Sequence, residues 1–152
     1  DEEVWRTILD LTQEIGYKLK KNHLAARGIQ INVRDKNLFG CQYQMKLEYM
    51  TQSTLFLAQA AKLLFFKKHR FTTPLRSITV RAIDLVPEDT PQQLNLFAGY
   101  DKQDDIVRLE SAVDRLRERF GNKIVVPASL MEKSCRPTLS TDFPKMPAPM
   151  YH

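Results

Sequence analysis

Residues 28–49 read GIQINVRDKNLFGCQYQMKLEY, and the period of this stretch decides the fold. Ile29, Ile31 and Val33 alternate with Gln30, Asn32 and Arg34. After the segment DKNLFG (35–40), Tyr43, Met45, Leu47 and Tyr49 alternate with Gln42, Gln44, Lys46 and Glu48. A period of two puts successive side chains on opposite faces of a strand, so the two runs predict an antiparallel hairpin with one apolar and one polar face.

On the N-terminal side the period lengthens. Val4, Ile8, Leu11, Ile15 and Leu19 are spaced three or four apart and draw one apolar stripe along a helix over about 2–20. Asp1, Glu2 and Glu3 suit its positive N-terminal end, and Lys18, Lys20 and Lys21 its negative C-terminal end. On the C-terminal side a second helix is predicted over about 53–68, with Ser53 or Thr54 available as its cap. A third alternating run, LRSITVRAIDL (75–85), points Ile78, Val80 and Ala82 one way and Ser77, Thr79 and Arg81 the other. A third helix is expected over about 102–120, with Ile106, Leu109, Val113, Leu116 and Phe120 as its seam and Gly121 as C-cap. Its Arg115, Arg117 and Arg119 alternate with acids and read as a solvated face. Ile124, Val125 and Val126 read as a short strand, and the remainder, which holds five of the eight prolines, as an extended or partly disordered tail. The order α, β, β, α, β predicts an α+β fold. Two helices cover one face of an antiparallel sheet, the other face is open to solvent, and a C-terminal helix and Pro-rich tail follow.

The 152 residues suffice for one domain with a core. Opening on Asp1 directly into a helical pattern, the chain reads as an excised piece of a longer protein. No run approaches the roughly 18 apolar residues of a membrane span, and the start, DEEVWR, is unlike a signal peptide, so a cytoplasmic protein without membrane attachment is expected. Cys41 and Cys135 lie far apart, His23, His69 and His152 are scattered, and no dyad, triad or metal-ligand spacing is present, so neither a catalytic residue nor a metal site is assigned.

The net charge of +5 is unevenly spread: −4 over residues 1–17, +11 over 18–81 and −2 over 82–152. A basic block of this kind is the footprint expected of a polyanion partner, because each phosphate neutralised by Lys or Arg releases a counterion. The block coincides with the strands, whose polar face carries Gln30, Asn32, Arg34, Gln42, Gln44, Lys46, Ser77, Thr79 and Arg81. Any half-buried sheet has a polar outer face. The coincidence of that face with the charge block favours a nucleic-acid backbone, read by charge and shape. The face lacks the aromatics that stack on single-stranded bases, which argues against a free-standing βαββαβ single-strand binder. With five glycines and no glycine-rich anion loop, a small acylphosphatase-like enzyme is disfavoured too.

Taken in order, several segments resemble the C-terminal little finger domain of Y-family translesion DNA polymerases, the polymerase IV and V group, and particularly the Gram-positive forms. They are GCQYQMKLEYMTQST (40–54), PLRSITVRAIDL (74–85), QLNLF (93–97) and VDRLRERFG (113–121), and the similarity runs from the first helix to about residue 131. The resemblance implies a βαββαβ domain in the major groove of primer-template duplex, tethered to a catalytic core that is absent here and that would hold magnesium. By analogy the duplex contacts match Arg34, Lys36, Gln42, Gln44, Lys46, Arg76 and Arg81. Gln42 and Gln44 stand where relatives often carry Ser and Arg, which would weaken backbone binding. The family's first strand would precede the first helix and so lie outside this chain, leaving a position in the sheet that 124–126 or the tail would fill. The implied division is 1–87 for the little finger, 88–100 for a loop, 101–131 for a helix and short strand, and 132–152 for the tail.

The loop carries Gln93, Leu94, Asn95, Leu96 and Phe97, which resemble the pentapeptide by which bacterial polymerases bind the sliding clamp. Extended between Pro91 and Gly99, the segment would offer three apolar side chains to a pocket and the Gln93 amide to its rim. The competing reading has these side chains cap the domain's own core. The expected partners are thus duplex primer-template DNA, the sliding clamp and the catalytic core of the parent polymerase, with no cofactor in this segment.

Overall fold

The computed structural model describes residues 2–69, 74–91, 101–121 and 124–131. The pentapeptide 93–97 and the tail lie outside them. Along the chain, α1 spans Glu2–Lys21, β1 Leu24–Asp35, β2 Gly40–Thr51, α2 Thr54–Lys68, β3 Leu75–Pro87 and α3 Asp101–Phe120, followed by a 3-10 turn at Ala128–Leu130. The strands form one antiparallel sheet in the order β2-β1-β3.

β1 is the central strand, and its alternation is what sorts the two faces. Ile29, Ile31 and Val33 are at most 2% exposed and meet Leu57, Ala58, Ala61, Leu64 and Phe65 of α2 and Ile8, Leu9 and Leu19 of α1 in a single core. α1 and α2 both lie on this face and pack on each other. Gly16 allows their close approach, because a Cβ at that position would collide with Thr54 Oγ1. Across the same contact Lys62 Nζ sits 4.7 Å from the centre of the Trp5 ring. Thr12 is fully buried, and its hydroxyl donates to the carbonyls of Ile8 and Leu9 within its own helix, so the core carries no polar penalty there.

Two features depart from the sequence reading. Residues 124–126 form no strand: 124 and 125 bend, the Ile124 amide donates back to Gly121 O, and the Arg117 guanidinium donates to the Val125 carbonyl at 2.8 and 3.1 Å. The sheet has no gap for a further strand between its members, since β1 pairs directly with both neighbours. An added strand would find a free edge on β2 or β3 alone among the described residues.

The other departure is α3. Its apolar seam does not face the core: Leu109 is 65%, Leu116 43% and Phe120 58% exposed. The helix docks instead through a polar stripe, Glu110, Asp114 and Arg117, one turn apart along one side. Glu110 accepts from the backbone amides of Thr54 (3.1 Å) and Leu55 (3.0 Å), the Ser53 hydroxyl (2.9 Å) and Lys20 Nζ (3.1 Å). Asp114 takes the same ammonium at 2.7 Å. Arg117, far from being part of a solvated face, has a side chain only 11% exposed, and it donates to Gln13 Oε1 as well as to Val125. Burial pulls the Arg117 pKa down, against the opposing pull of Asp114 and Glu110. Ser53 does occupy the N-cap of α2, but its side chain makes no capping bond, and a carboxylate some 55 residues downstream caps the helix in its place. Gly121 ends α3 as expected, with φ +97° and its amide on Arg117 O.

Glu110→Ala strips the cap from α2 and leaves Lys20 with Asp114 alone. We expect a loss of about 2 kcal/mol in urea unfolding, with Glu110→Gln losing less because its amide oxygen still accepts. A midpoint unchanged in Glu110→Ala would show that α3 is not held by this carboxylate.

Candidate nucleic-acid interface

The open face is built by register. Because directly paired residues of antiparallel strands share a face, β2, β1 and β3 present the rows Gln44–Gln30–Arg81, Gln42–Asn32–Thr79 and Gly40–Arg34–Ser77, with Lys46 beside Gly28 at the next step. The rows cover about 20 Å along the strands and about 10 Å across them. All but Gln30 of their polar side chains are exposed. Gln30, 9% exposed, is hemmed in by its two neighbours, so it supports the row rather than offering its amide to a ligand. Sequence alternation alone could not separate Gln30 from Asn32 on the same strand; Gln30 lies between Gln44 and Arg81, whereas Asn32 lies between Gln42 and the shorter Thr79.

Arg76 joins the face for a reason the sequence pattern does not carry. Arg34 pairs with Ser77, and the next residue, Asp35, pairs with Leu75, so Arg76 is an extra residue in β3 at a bulge. The alternation breaks there: Arg76 and Ser77 are both exposed, whereas Leu75 and Ile78 are half-buried against the core. A bulge re-aims a side chain in this way. Lys36 lies outside the strands, exposed in the β1–β2 turn next to this end of the sheet. The seven residues expected to meet DNA, Arg34, Lys36, Gln42, Gln44, Lys46, Arg76 and Arg81, are therefore all exposed, and the register collects them on the sheet and its turn.

The cations of the sheet face differ from the best-matched cations of the helix side. On the helix side several cations are matched, Arg6 with Glu2, Lys18 with Glu14, Lys20 with Glu110 and Asp114, and Arg117 with Asp114, while others such as Lys67, Lys68 and Arg119 have no ion pair among the described residues. Among the described residues no ion pair engages Arg34, Lys36, Lys46, Arg76 or Arg81. The nearest acid in sequence, Asp35, has its carboxylate committed to the amides of Asn37 and Phe39. At the far end of the sheet Arg27, Lys46, Glu48 and Asp84 line a shallow mixed-charge depression, where Asp84 adopts a left-handed φ of +53°. Five unpaired cations among amides and hydroxyls can hold anionic oxygens spaced along a surface. They provide no nucleophile or acid–base pair. Among the described residues no group of three His, Cys, Asp or Glu side chains is placed to hold a metal ion, and no helix is long and apolar enough to cross a membrane.

Comparison with known proteins places this architecture. The profile of the impB/mucB/samB family C-terminal domain matches residues 1–96. The chain is 35% identical over 121 residues to DNA polymerase IV of Acetivibrio thermocellus, covering 80% of this chain and 30% of that protein. It is 28% identical over 129 residues to DNA polymerase IV 2 of Halalkalibacterium halodurans, covering 82% of this chain and 30% of that protein. The chain thus spans under a third of the length of these relatives. A match over most of the chain, on the helices and strands that build the charged sheet, makes it a member of the impB/mucB/samB family C-terminal domains, the C-terminal domain of Y-family DNA polymerases.

Proposed function

We propose that this domain grips the backbone of primer-template duplex for a translesion DNA polymerase and carries, in 93–97, the peptide that docks the enzyme on the sliding clamp. The observation that supports the first part is the set of exposed cations, without ion pairs, that the register collects on an otherwise polar sheet face and its turn. Phosphate oxygens are the ligand that such a face fits, and rows without an aromatic side chain read charge and groove shape, not base identity. Gln42, Gln44, Asn32 and Thr79 add hydrogen-bond donors between the cations, suited to phosphate and sugar oxygens. The polymerase reaction belongs to the parent protein: its catalytic core would supply the carboxylates and magnesium, and this domain would fix the duplex for it. Clamp docking is supported by the sequence of Gln93, Leu94, Asn95, Leu96 and Phe97, a pentapeptide with three apolar side chains between two conformationally special residues, Pro91 and Gly99.

Duplex affinity measured against salt tests the grip. Arg34→Ala and Arg81→Ala are each expected to weaken blunt-duplex binding for any base sequence and to lower the slope of log K against log salt by about 1. A slope that stays at its wild-type value in both would remove the phosphate contacts from this face.

The clamp reading has its own measurement. Replacing Leu96 and Phe97 together by Ala should weaken binding to a bacterial sliding clamp by at least about 30-fold while leaving the urea midpoint and duplex affinity in place. A large drop in the midpoint would instead assign these side chains to the domain's own packing.

A further inference from the structure

The turn that joins β1 to β2 is more rigid, and more apolar, than a hairpin needs. Asp35 organises it: its carboxylate accepts from the amides of Asn37 (2.8 Å) and Phe39 (3.0 Å), its own amide donates to Phe39 O (3.0 Å), and its carbonyl accepts from Leu38 (3.1 Å). The Lys36 amide ties the turn to Pro74 O at the start of β3 (3.1 Å). Leu38 and Phe39 take part in these bonds through backbone atoms only. The two side chains contribute nothing to them and are 59% and 76% exposed. Leu38 also holds a left-handed φ of +70°, a conformation that Gly, Asn or Asp adopts at lower cost in a turn. A strained leucine and an exposed phenylalanine, fixed on a turn whose geometry needs neither side chain, mark a contact surface.

The surroundings choose the partner. Arg34, Lys36 and Arg76 are exposed around the turn, and the one acid nearby, Asp35, is used internally. An apolar tip ringed by cations fits a ligand that combines a flat apolar surface with negative charge, which is a nucleobase on its phosphate backbone. The other strongly exposed aromatic among the described residues, Phe120, lies on α3, away from the open face. We propose that the β1–β2 turn is a second nucleic-acid contact, in which Phe39, flanked by Leu38, stacks on an unpaired base where single-stranded DNA continues from the duplex held by the sheet. The inference rests on the duplex reading above, and it adds a single-strand contact that the sheet face, lacking aromatics, does not provide.

The test measures binding of the chain to three DNAs by anisotropy: a blunt duplex, the same duplex with a short single-stranded template overhang, and that overhang with its first unpaired nucleotide abasic. Wild type is expected to bind the overhang DNA best and to lose the advantage with the abasic site. Phe39→Ala should weaken overhang binding by about tenfold and leave the blunt-duplex affinity and its salt slope unchanged. Leu38→Gly removes the side chain while easing the left-handed backbone, so it folds at least as well in urea and still loses overhang preference. If wild type binds blunt and overhang DNA equally, or Phe39→Ala binds all three as wild type does, the stacking contact is wrong while the duplex reading stands. Absence of salt-sensitive binding to any of the three would overturn both.

Discussion

The structure depends on β1 being paired along both edges. A strand with two hydrogen-bonded neighbours cannot slip by one residue without moving Ile29, Ile31 and Val33 to solvent and Gln30, Asn32 and Arg34 into the core. At roughly 25 cal/mol per Å² of apolar surface, burial of three β-branched side chains fixes the register by several kcal/mol. Everything on the open face inherits that register. Lys46, Gln44 and Gln42 on β2, and Arg81, Thr79 and Ser77 on β3, stand in rows because their partners on β1 are locked by what lies beneath them. The face is a by-product of the core in position, and it is specific only in its choice of side chains.

That choice is best seen against the helix side. Lys20 and Arg117 are cations as well, yet each is matched by carboxylates and largely screened from water. Matching serves docking: the stripe of Glu110, Asp114 and Arg117 lets α3 bind α1 and the start of α2 through directed bonds, with little apolar area contributed by the helix itself. Glu110 satisfies two amides that every helix leaves unpaired at its N-terminus and meets the partial positive charge of that end. The open sheet follows the opposite rule, with cations left without acids. Unmatched positive charge on one surface costs some stability by self-repulsion, and a polyanion that lies along the face relieves that repulsion.

How much of this was legible in sequence follows from the range of each interaction. The strands, the two core helices and the C-cap at Gly121 are local patterns, and all were readable. The polar face could be written down as alternate residues because burial fixes it two residues at a time. Three things were not readable. The bulge that brings out Arg76 depends on how β3 meets Asp35 across the sheet, and no residue in 74–85 marks it. The burial of Gln30 depends on the cross-strand neighbours, Gln44 and Arg81, that the register sets beside it. The orientation of α3 defeats periodicity outright: Ile106, Leu109, Val113, Leu116 and Phe120 make a regular seam, yet the helix is held by carboxylates that meet Lys20 and Ser53 some 57 to 94 residues away in sequence. The same long-range carboxylate caps α2 in place of the Ser53 side chain, which no local pattern marks.

The docking of α3 also bears on how the pentapeptide would be used. Residues 93–97 lie between two anchored points. On one side β3 ends where the Glu88 amide bonds His23 O, and the Glu88 carboxylate meets His23 Nδ1 at 2.8 Å and the Gln52 amide at 3.2 Å, contacts that hold its pKa below the usual carboxylate range. On the other side α3 is pinned by Glu110 and Arg117. A recruiting peptide held at both ends loses less freedom on binding than one at a free terminus, and the short path to the sheet would limit the distance between a clamp and a duplex bound to one chain. In this reading the polar stripe of α3 has a purpose beyond stability. It would hold the C-terminal end of the proposed docking segment close to the domain that carries the basic face.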